Sequence, residues 1–262
     1  MSFLEHKTIW ITGASSGIGK ALAIEMSKKN NNIILSSRNI NDLESVAKLC
    51  KGNTLVLPID LEKQDNFVNK VKKAVDVFGK IDILVNNGGI SQRSTASETS
   101  IEVDRRLMEI NYFGTVVLTK SVLPYMQKQK SGHIVTVSSL SGKFGFFLRS
   151  AYAASKFAQL GFFESLRLEE EKNNIKVSMV FPGFVNTNIS QNALSGEGKK
   201  HDQHDENQKK GISPMNCAKD IIKGIKENKH EIYSGGKEIW MVKIRRLLPG
   251  LFYRILRNQS GT

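Results

Sequence analysis

The chain has 262 residues, 40% hydrophobic and 24% charged, with a formal net charge of +13 and a pI near 9.7. That length suits one α/β unit with a large core, and two cysteines, Cys50 and Cys217, exclude a disulfide framework. The positive excess is spread over both halves and forms no recognition helix, zinc finger or aromatic-rich RNA-binding motif, so nucleic acid is set aside as a partner; a basic surface still attracts anionic cofactors, phosphorylated substrates and acidic membranes.

From the N-terminus, residues 7–11 read as a short apolar strand running into Thr12-Gly13-Ala14-Ser15-Ser16-Gly17-Ile18-Gly19. Glycines at 13, 17 and 19 permit a tight strand-to-helix turn, close approach of the backbone to a pyrophosphate and close packing of the following helix. The N-terminus of that helix, over 17–29, offers N–H groups and a positive dipole end to phosphates. The spacing G-x-x-x-G-x-G departs from the common G-x-G-x-x-G fingerprint. A second strand ends in Ile33-Ile34-Leu35-Ser36-Ser37-Arg38, and a third, over 54–59, leads to Asp60-Leu61. Residues 81–85 form an apolar run into Asn86-Asn87-Gly88-Gly89, Val137-Ser138-Ser139 closes another strand, 176–181 leads to Pro182-Gly183, and Glu231–Ser234 is the last strand. Helical patterns over 17–29, 41–50, 64–78, 103–126, 152–173 and 215–228 alternate with these strands. No repeat, low-complexity tract or linker interrupts them, so the expectation is one domain over 1–262. Its fold class is α/β, a doubly wound, mostly parallel seven-stranded sheet flanked by helices, with a ligand crevice at its carboxyl edge.

In Tyr152-Ala153-Ala154-Ser155-Lys156 a phenol and an ammonium four residues apart project from one helix face. A phenol with a reference pKa of about 10 is a poor acid near neutrality, and a nearby ammonium is expected to lower it. Ser139, at a strand end thirteen residues earlier, adds a hydroxyl for a substrate oxygen. Together with the glycine-rich turn, this set resembles the short-chain dehydrogenase/reductase (SDR) superfamily over nearly the whole chain.

The resemblance implies roles for further residues. Asn111, Ser139, Tyr152 and Lys156 match the catalytic set, with Asn111 interrupting a helix and anchoring a relay water; alone, Asn111 would be read as a helix-surface residue. Gly13, Ser15, Ser16, Gly17, Ile18 and Gly19 match the phosphate turn. Asn87, Gly88 and Gly89 resemble the family's Asn-Asn-Ala-Gly turn, with Gly88 in place of Ala. Pro182, Gly183, Val185 and Thr187 match the segment beside the nicotinamide, and Tyr152 and Lys156 also face the cofactor. Asp60 and Leu61 resemble the pair bordering the adenine, a helix cap being the alternative for Asp60. NAD-preferring relatives carry an acidic residue near Ser37; here it is absent and Arg38 follows, so NADP(H) is expected over NAD(H), the guanidinium holding the 2′-phosphate.

The implied function is an NADP(H)-dependent carbonyl reductase or secondary-alcohol dehydrogenase, with a small-molecule ketone or secondary alcohol as substrate. The alternatives are a 3-oxoacyl-type reductase and a catalytically silent nucleotide-binding regulator. Phe144, Phe146, Phe147, Leu148 and Phe184 either line an apolar pocket or pack against a neighbouring element. Residues 186–213 are polar and glycine-bearing, as expected of a substrate lid. The basic extension over 237–262 places Trp240, Ile244, Leu247, Leu251 and Ile255 at helical spacing, with Pro249-Gly250 breaking the helix. It is expected to pack on the core or on a partner subunit, with contact to an anionic membrane as the second reading. This tail and Asn-Asn-Gly-Gly resemble the dehydrogenase/reductase member seven subgroup, whose relatives include membrane-associated reductases of lipid-like or steroid-like ketones. A homodimer or homotetramer through the long helices is implied. No signal-peptide h-region precedes the first strand and no apolar run approaches the ~20 residues of a membrane span, so a cytoplasmic location, with peripheral membrane association through the tail, is expected. No Cys/His cluster has metal spacing, and His201 and His204 read as solvated.

Overall fold

The structure, a computed structural model, describes residues 4–203 and 205–258; His204 and the last four residues of the tail lie outside them. Seven parallel strands, β1 (Thr8–Thr12), β2 (Asn32–Ser36), β3 (Thr54–Val56), β4 (Ile83–Asn86), β5 (Gly132–Val137), β6 (Ile175–Pro182) and β7 (Glu231–Ser234), form one sheet in the order β3-β2-β1-β4-β5-β6-β7. The order reverses between β1 and β4, which opens a crevice outside their carboxyl ends. Strands buried on both faces need apolar residues at successive positions, and β1 shows why. Trp10 points into one core, while Ile9 and Ile11 point into the other. The buried Trp10 indole donates to Ser36 Oγ at 2.8 Å, so its one polar atom is satisfied.

Helices α1 (Gly17–Ser27) and α2 (Ile40–Ala47) follow β1 and β2, and α3 (Phe67–Phe78) follows β3. The single helix expected over 103–126 is instead α4 (Ile101–Met108), a π-helical turn at Glu109–Phe113, and α5 (Gly114–Gln129). The extra residue of a π turn breaks the regular backbone ladder, a geometry frequent at functional sites. Helix α6 (Ser150–Glu170) starts two residues before Tyr152. Among its described residues the lid carries the short α7 (Glu206–Lys209), and α8 (Pro214–Lys226) packs on α1 across one sheet face.

The tail breaks where proline dictates, into α9 (Trp240–Leu247) and α10 (Pro249–Arg257). It packs on the chain's own core through Met241 and Phe252, the latter meeting Phe144 edge to face at 5.2 Å. The expected apolar stripe needs correction. Trp240, Leu247 and Leu251 are exposed at 55%, 74% and 45%, whereas Met241 and Phe252 are buried. Ile244 and Ile255 do pack against the core, so the apolar residues on both sides of the expected break at Pro249 divide between a buried and an exposed face.

Candidate active site

The crevice is built by a hydroxyl and an amide that tie two strand ends together. Thr12 Oγ1, at the end of β1, accepts from Asn87 N and Gly88 N at 2.9 Å each, while Asn87 Nδ2 donates to Thr12 O at 3.0 Å and Gly13 O at 3.3 Å. Gly13 sits at φ +63°, and a Cβ there would come within 2.8 Å of Asn87 Nδ2 and 2.9 Å of Gly88 Cα. At Gly19 a Cβ would overlap Gly13 O, so α1 is held against the turn by a contact only glycine permits. Gly88 differs: a Cβ would crowd the flexible end of Leu61 at 2.7 Å and meet Thr12 Oγ1 at 3.3 Å and Gly13 N at 3.4 Å, which fits the Ala expected at this position.

A cleft of about 760 Å³ runs from this turn toward the end of β2. Gly13, Ser15, Ser16, Gly17 and Ile18 line it, as do Ser37, Arg38, Asp60, Leu61, Asn87, Gly88, Gly89 and Thr187. Gly19 lies behind that wall as a packing residue. Ser16 precedes α1 without capping it, leaving the first N–H groups of an 11-residue helix facing the cleft. Asp60 Oδ1 accepts from Glu62 N at 3.1 Å, so the turn and the cleft share this carboxylate. Lid residues Asn192, Leu194, Gly198 and Lys200 complete the cleft, and their loop sequence carried no signal for this. A cleft with glycine turn, bare helix N-terminus and exposed arginine at its far end suits a dinucleotide.

An adjoining cavity of about 150 Å³ joins Ser139, Tyr152, Lys156, Pro182, Gly183, Val185 and Thr187. Phe144, Phe146 and Phe184 line it; Phe147 and Leu148 do not, Phe147 being exposed and packed on Phe146 at 5.9 Å. The tail supplies Met241 and Leu256 to its wall, which sequence spacing did not indicate. Glu238 accepts from Phe184 N at 2.9 Å and Gly236 N at 3.0 Å, tying the Pro182-Gly183 turn to the start of the tail.

Tyr152 is 7% exposed, and burial raises its pKa above the ordinary phenol value, with the Ser139 hydroxyl and the Arg149 guanidinium pulling the other way. Burial thus outweighs the lowering expected from a neighbouring ammonium. The Lys156 ammonium lies 5.8 Å from the Tyr152 ring centroid and donates to Val137 O at 3.0 Å and Gln159 Oε1 at 3.3 Å. Burial pushes that ammonium down to about 7. A second cation beside the phenol is Arg149, buried on the cavity wall 6.0 Å from the ring, which donates to Ser91 Oγ at 2.7 Å and to Asp205 Oδ2 at 3.3 Å. Arg93 also donates to Asp205, at 2.6 Å, so two arginines pin the lid beside the cavity. Gln92 Oε1 accepts from Ala151 N at 3.1 Å and Tyr152 N at 3.5 Å, capping the start of α6 and fixing the tyrosine's turn.

Asn111 lies behind the cavity, fully buried in the π turn. Its side chain is spent on structure: Oδ1 accepts from Ile90 N at 2.8 Å, and Nδ2 donates to Ile90 O at 3.0 Å and Ser155 Oγ at 2.9 Å. Its carbonyl accepts from Gln159 Nε2 at 2.6 Å. Among the described residues no cluster of three His, Cys, Asp or Glu has metal-site geometry, and no helix is long and apolar enough to cross a membrane.

Residues 7–198 match the family model described as short chain dehydrogenase. Over 99% of the chain, and 83% of the relative, it is 38% identical to dehydrogenase/reductase SDR family member 7B of Mus musculus. It is 41% identical to dehydrogenase/reductase SDR family member 7 of Homo sapiens, over 88% of the chain and 70% of that protein. The fold superposes on a short-chain dehydrogenase/reductase from Burkholderia phymatum, solved in complex with NAD, with a TM-score of 0.84 at 21% identity over 96% of both chains.

Proposed function

Because this chain belongs to the short-chain dehydrogenase family of oxidoreductases, we propose that it is an NADP(H)-dependent carbonyl reductase acting on an apolar, lipid-like or steroid-like ketone. The same residues serve the reverse oxidation of the secondary alcohol. The observation that carries this reading is the apolar cavity, walled by Phe144, Phe146, Phe184, Met241 and Leu256, that leads to the Tyr152 and Ser139 hydroxyls beside the dinucleotide cleft.

A bound nicotinamide supplies or accepts the hydride. The protein's own part is polar. Ser139 and Tyr152 hydrogen-bond the carbonyl oxygen, and Tyr152 delivers the proton as negative charge develops there. Burial keeps this phenol protonated at neutral pH, the state reduction requires. Lys156, on the cavity wall with its ammonium 5.8 Å from the tyrosine ring, would hold the nicotinamide ribose. The aromatic walls exclude water, which strengthens these contacts.

The NADP(H) preference rests on Arg38, exposed at the cleft beside Ser37, with no carboxylate at either position to compete. A guanidinium–phosphate pair is a charge-assisted contact worth roughly 1.5–3 kcal/mol. Wild type is therefore expected to favour NADPH over NADH by about 10- to 100-fold in kcat/KM, and Ser37→Asp/Arg38→Leu to erase or reverse that ratio. A ketone panel followed by absorbance of the reduced nicotinamide measures both; a wild-type preference for NADH sinks the cofactor assignment. Self-association is proposed through α4, α5 and α6, supported by exposed Phe157 and Leu168 on α6 and Phe113 in the π turn before α5, with light scattering as the check. The exposed basic and apolar face of the tail is the proposed contact with an anionic membrane.

A further inference from the structure

Gln159 has no place in the sequence motifs, yet it is 1% exposed and its amide lies between two groups at the heart of the site. On one side its Nε2 donates to the Asn111 carbonyl at 2.6 Å; on the other its Oε1 accepts from Lys156 Nζ at 3.3 Å. A carbonyl only accepts and an ammonium only donates, so the amide's orientation is forced by its neighbours. The Asn111 carbonyl lies in the π turn at Glu109–Phe113, whose extra residue interrupts the regular helical ladder. Lys156 precedes Gln159 by three positions on α6, so both side chains lie on one helix face.

We infer that Gln159 is a positioning residue for the reaction: its amide tethers the Lys156 ammonium to the π turn and holds it beneath Tyr152. The inference rests on the proposed role of Lys156 with Tyr152. The other groups facing this ammonium are neutral, namely the Val137 carbonyl on β5, Asn111 on the π turn and the Gly89 backbone. On its own helix, Tyr152 and then Arg149 are the ionisable neighbours, and neither offers a negative charge at neutral pH. Gln159 Oε1 is thus one of two oxygens that compensate a charge buried at 4% exposure. An amide neither takes up nor releases a proton near neutrality, so the contact fixes the cation without relaying a proton toward Asn111.

The test reads Lys156 directly in the ligand-free protein. Its ε-carbon is followed by NMR in protein carrying 13C-labelled lysine, with the signal assigned by its loss in Lys156→Met. Gln159→Leu removes both contacts and is expected to lower the Lys156 titration midpoint by about one pH unit, the size of one lost hydrogen bond to a charge. Gln159→Glu restores an acceptor with negative charge and is expected to raise the midpoint above wild type. In steady-state reduction, Gln159→Leu is expected to lower kcat about tenfold with KM for the ketone within twofold. A purely structural role would lower the melting temperature of Gln159→Leu and leave the Lys156 midpoint where it was, and that result overturns the inference. If Gln159→Leu does not fold, Gln159→Glu alone decides, since an unchanged midpoint there is equally fatal. An inactive wild-type enzyme would defeat the proposed reaction while leaving the NMR comparison standing.

Discussion

Tyr152→Phe is expected to lower turnover about 10³-fold or more while leaving cofactor affinity within about threefold of wild type. The change deletes one oxygen and keeps the ring that packs among Val103, Leu107 and Ala151. That oxygen is the proton donor in the proposed reaction, and general acid catalysis with oxyanion stabilisation commonly supplies losses of this size. The nearby Ser139 hydroxyl does not substitute. It accepts from Ser141 N at 3.1 Å as the cap of the turn at Leu140–Gly142, and its ordinary alcohol proton is far less acidic than a phenol's. Single-turnover absorbance at saturating reduced cofactor, with the cofactor's dissociation constant from fluorescence, separates chemistry from binding. Turnover within tenfold of wild type would reject the assignment of Tyr152 as the acid.

The second large effect is expected at the tail. Phe252 is 1% exposed and meets Phe144, which itself lines the cavity. Phe252→Ala should cost about 3–5 kcal/mol, the range for emptying a buried aromatic site, and should loosen the cavity wall. Truncation after Gly236 removes Met241, Phe252 and Leu256 together and is expected to be more damaging still, measured as the denaturant midpoint and as KM for an apolar ketone. The outer face should behave differently. Trp240, Leu247, Leu251 and Tyr253 are exposed among Lys243, Arg246, Arg254 and Arg257. Reversing Arg246, Arg254 and Arg257 to Glu is expected to leave stability nearly unchanged and to abolish salt-sensitive sedimentation with anionic vesicles. If truncation leaves stability and KM intact, the tail is no part of the enzyme's wall. If the charge-reversed protein sediments as wild type does, the membrane contact falls.

The fold was legible because alternating short apolar strands and helical patterns leave a doubly wound parallel sheet as the economical arrangement, and seven parallel strands are present. Many of the nominated residues share the cleft and cavity for the same reason, since the glycine-rich turn, Asn87, Ser139 and Pro182 end or follow strands and so reach one sheet edge, where α6 adds Tyr152 and Lys156. Three things escaped. Arg149 and Gln159 belong to no motif, and each matters through a neighbour that only tertiary structure supplies: Ser91 and Asp205 for one, the π turn for the other. The family resemblance implied a helix interrupted at Asn111, but the π form of that interruption was hidden because Glu-Ile-Asn-Tyr-Phe fits ordinary helix periodicity. The buried face of the tail was legible only in part: Ile244 and Ile255 pack inward, but the most buried side chains, Met241 and Phe252, lie outside the apolar spacing.

The roofing of the cavity by Met241 and Leu256 sets a schedule for synthesis. The ribosome delivers the glycine-rich turn first and the residues closing the cavity more than two hundred positions later, after all seven strands. A nascent chain that has reached β7 therefore holds the dinucleotide cleft's residues in full while Phe144 still lacks its partner from α10. Until then an aromatic floor lies open to water, a state in which proteins of this size are prone to aggregate. Any cofactor bound to the cleft in that interval would steady the sheet by mass action.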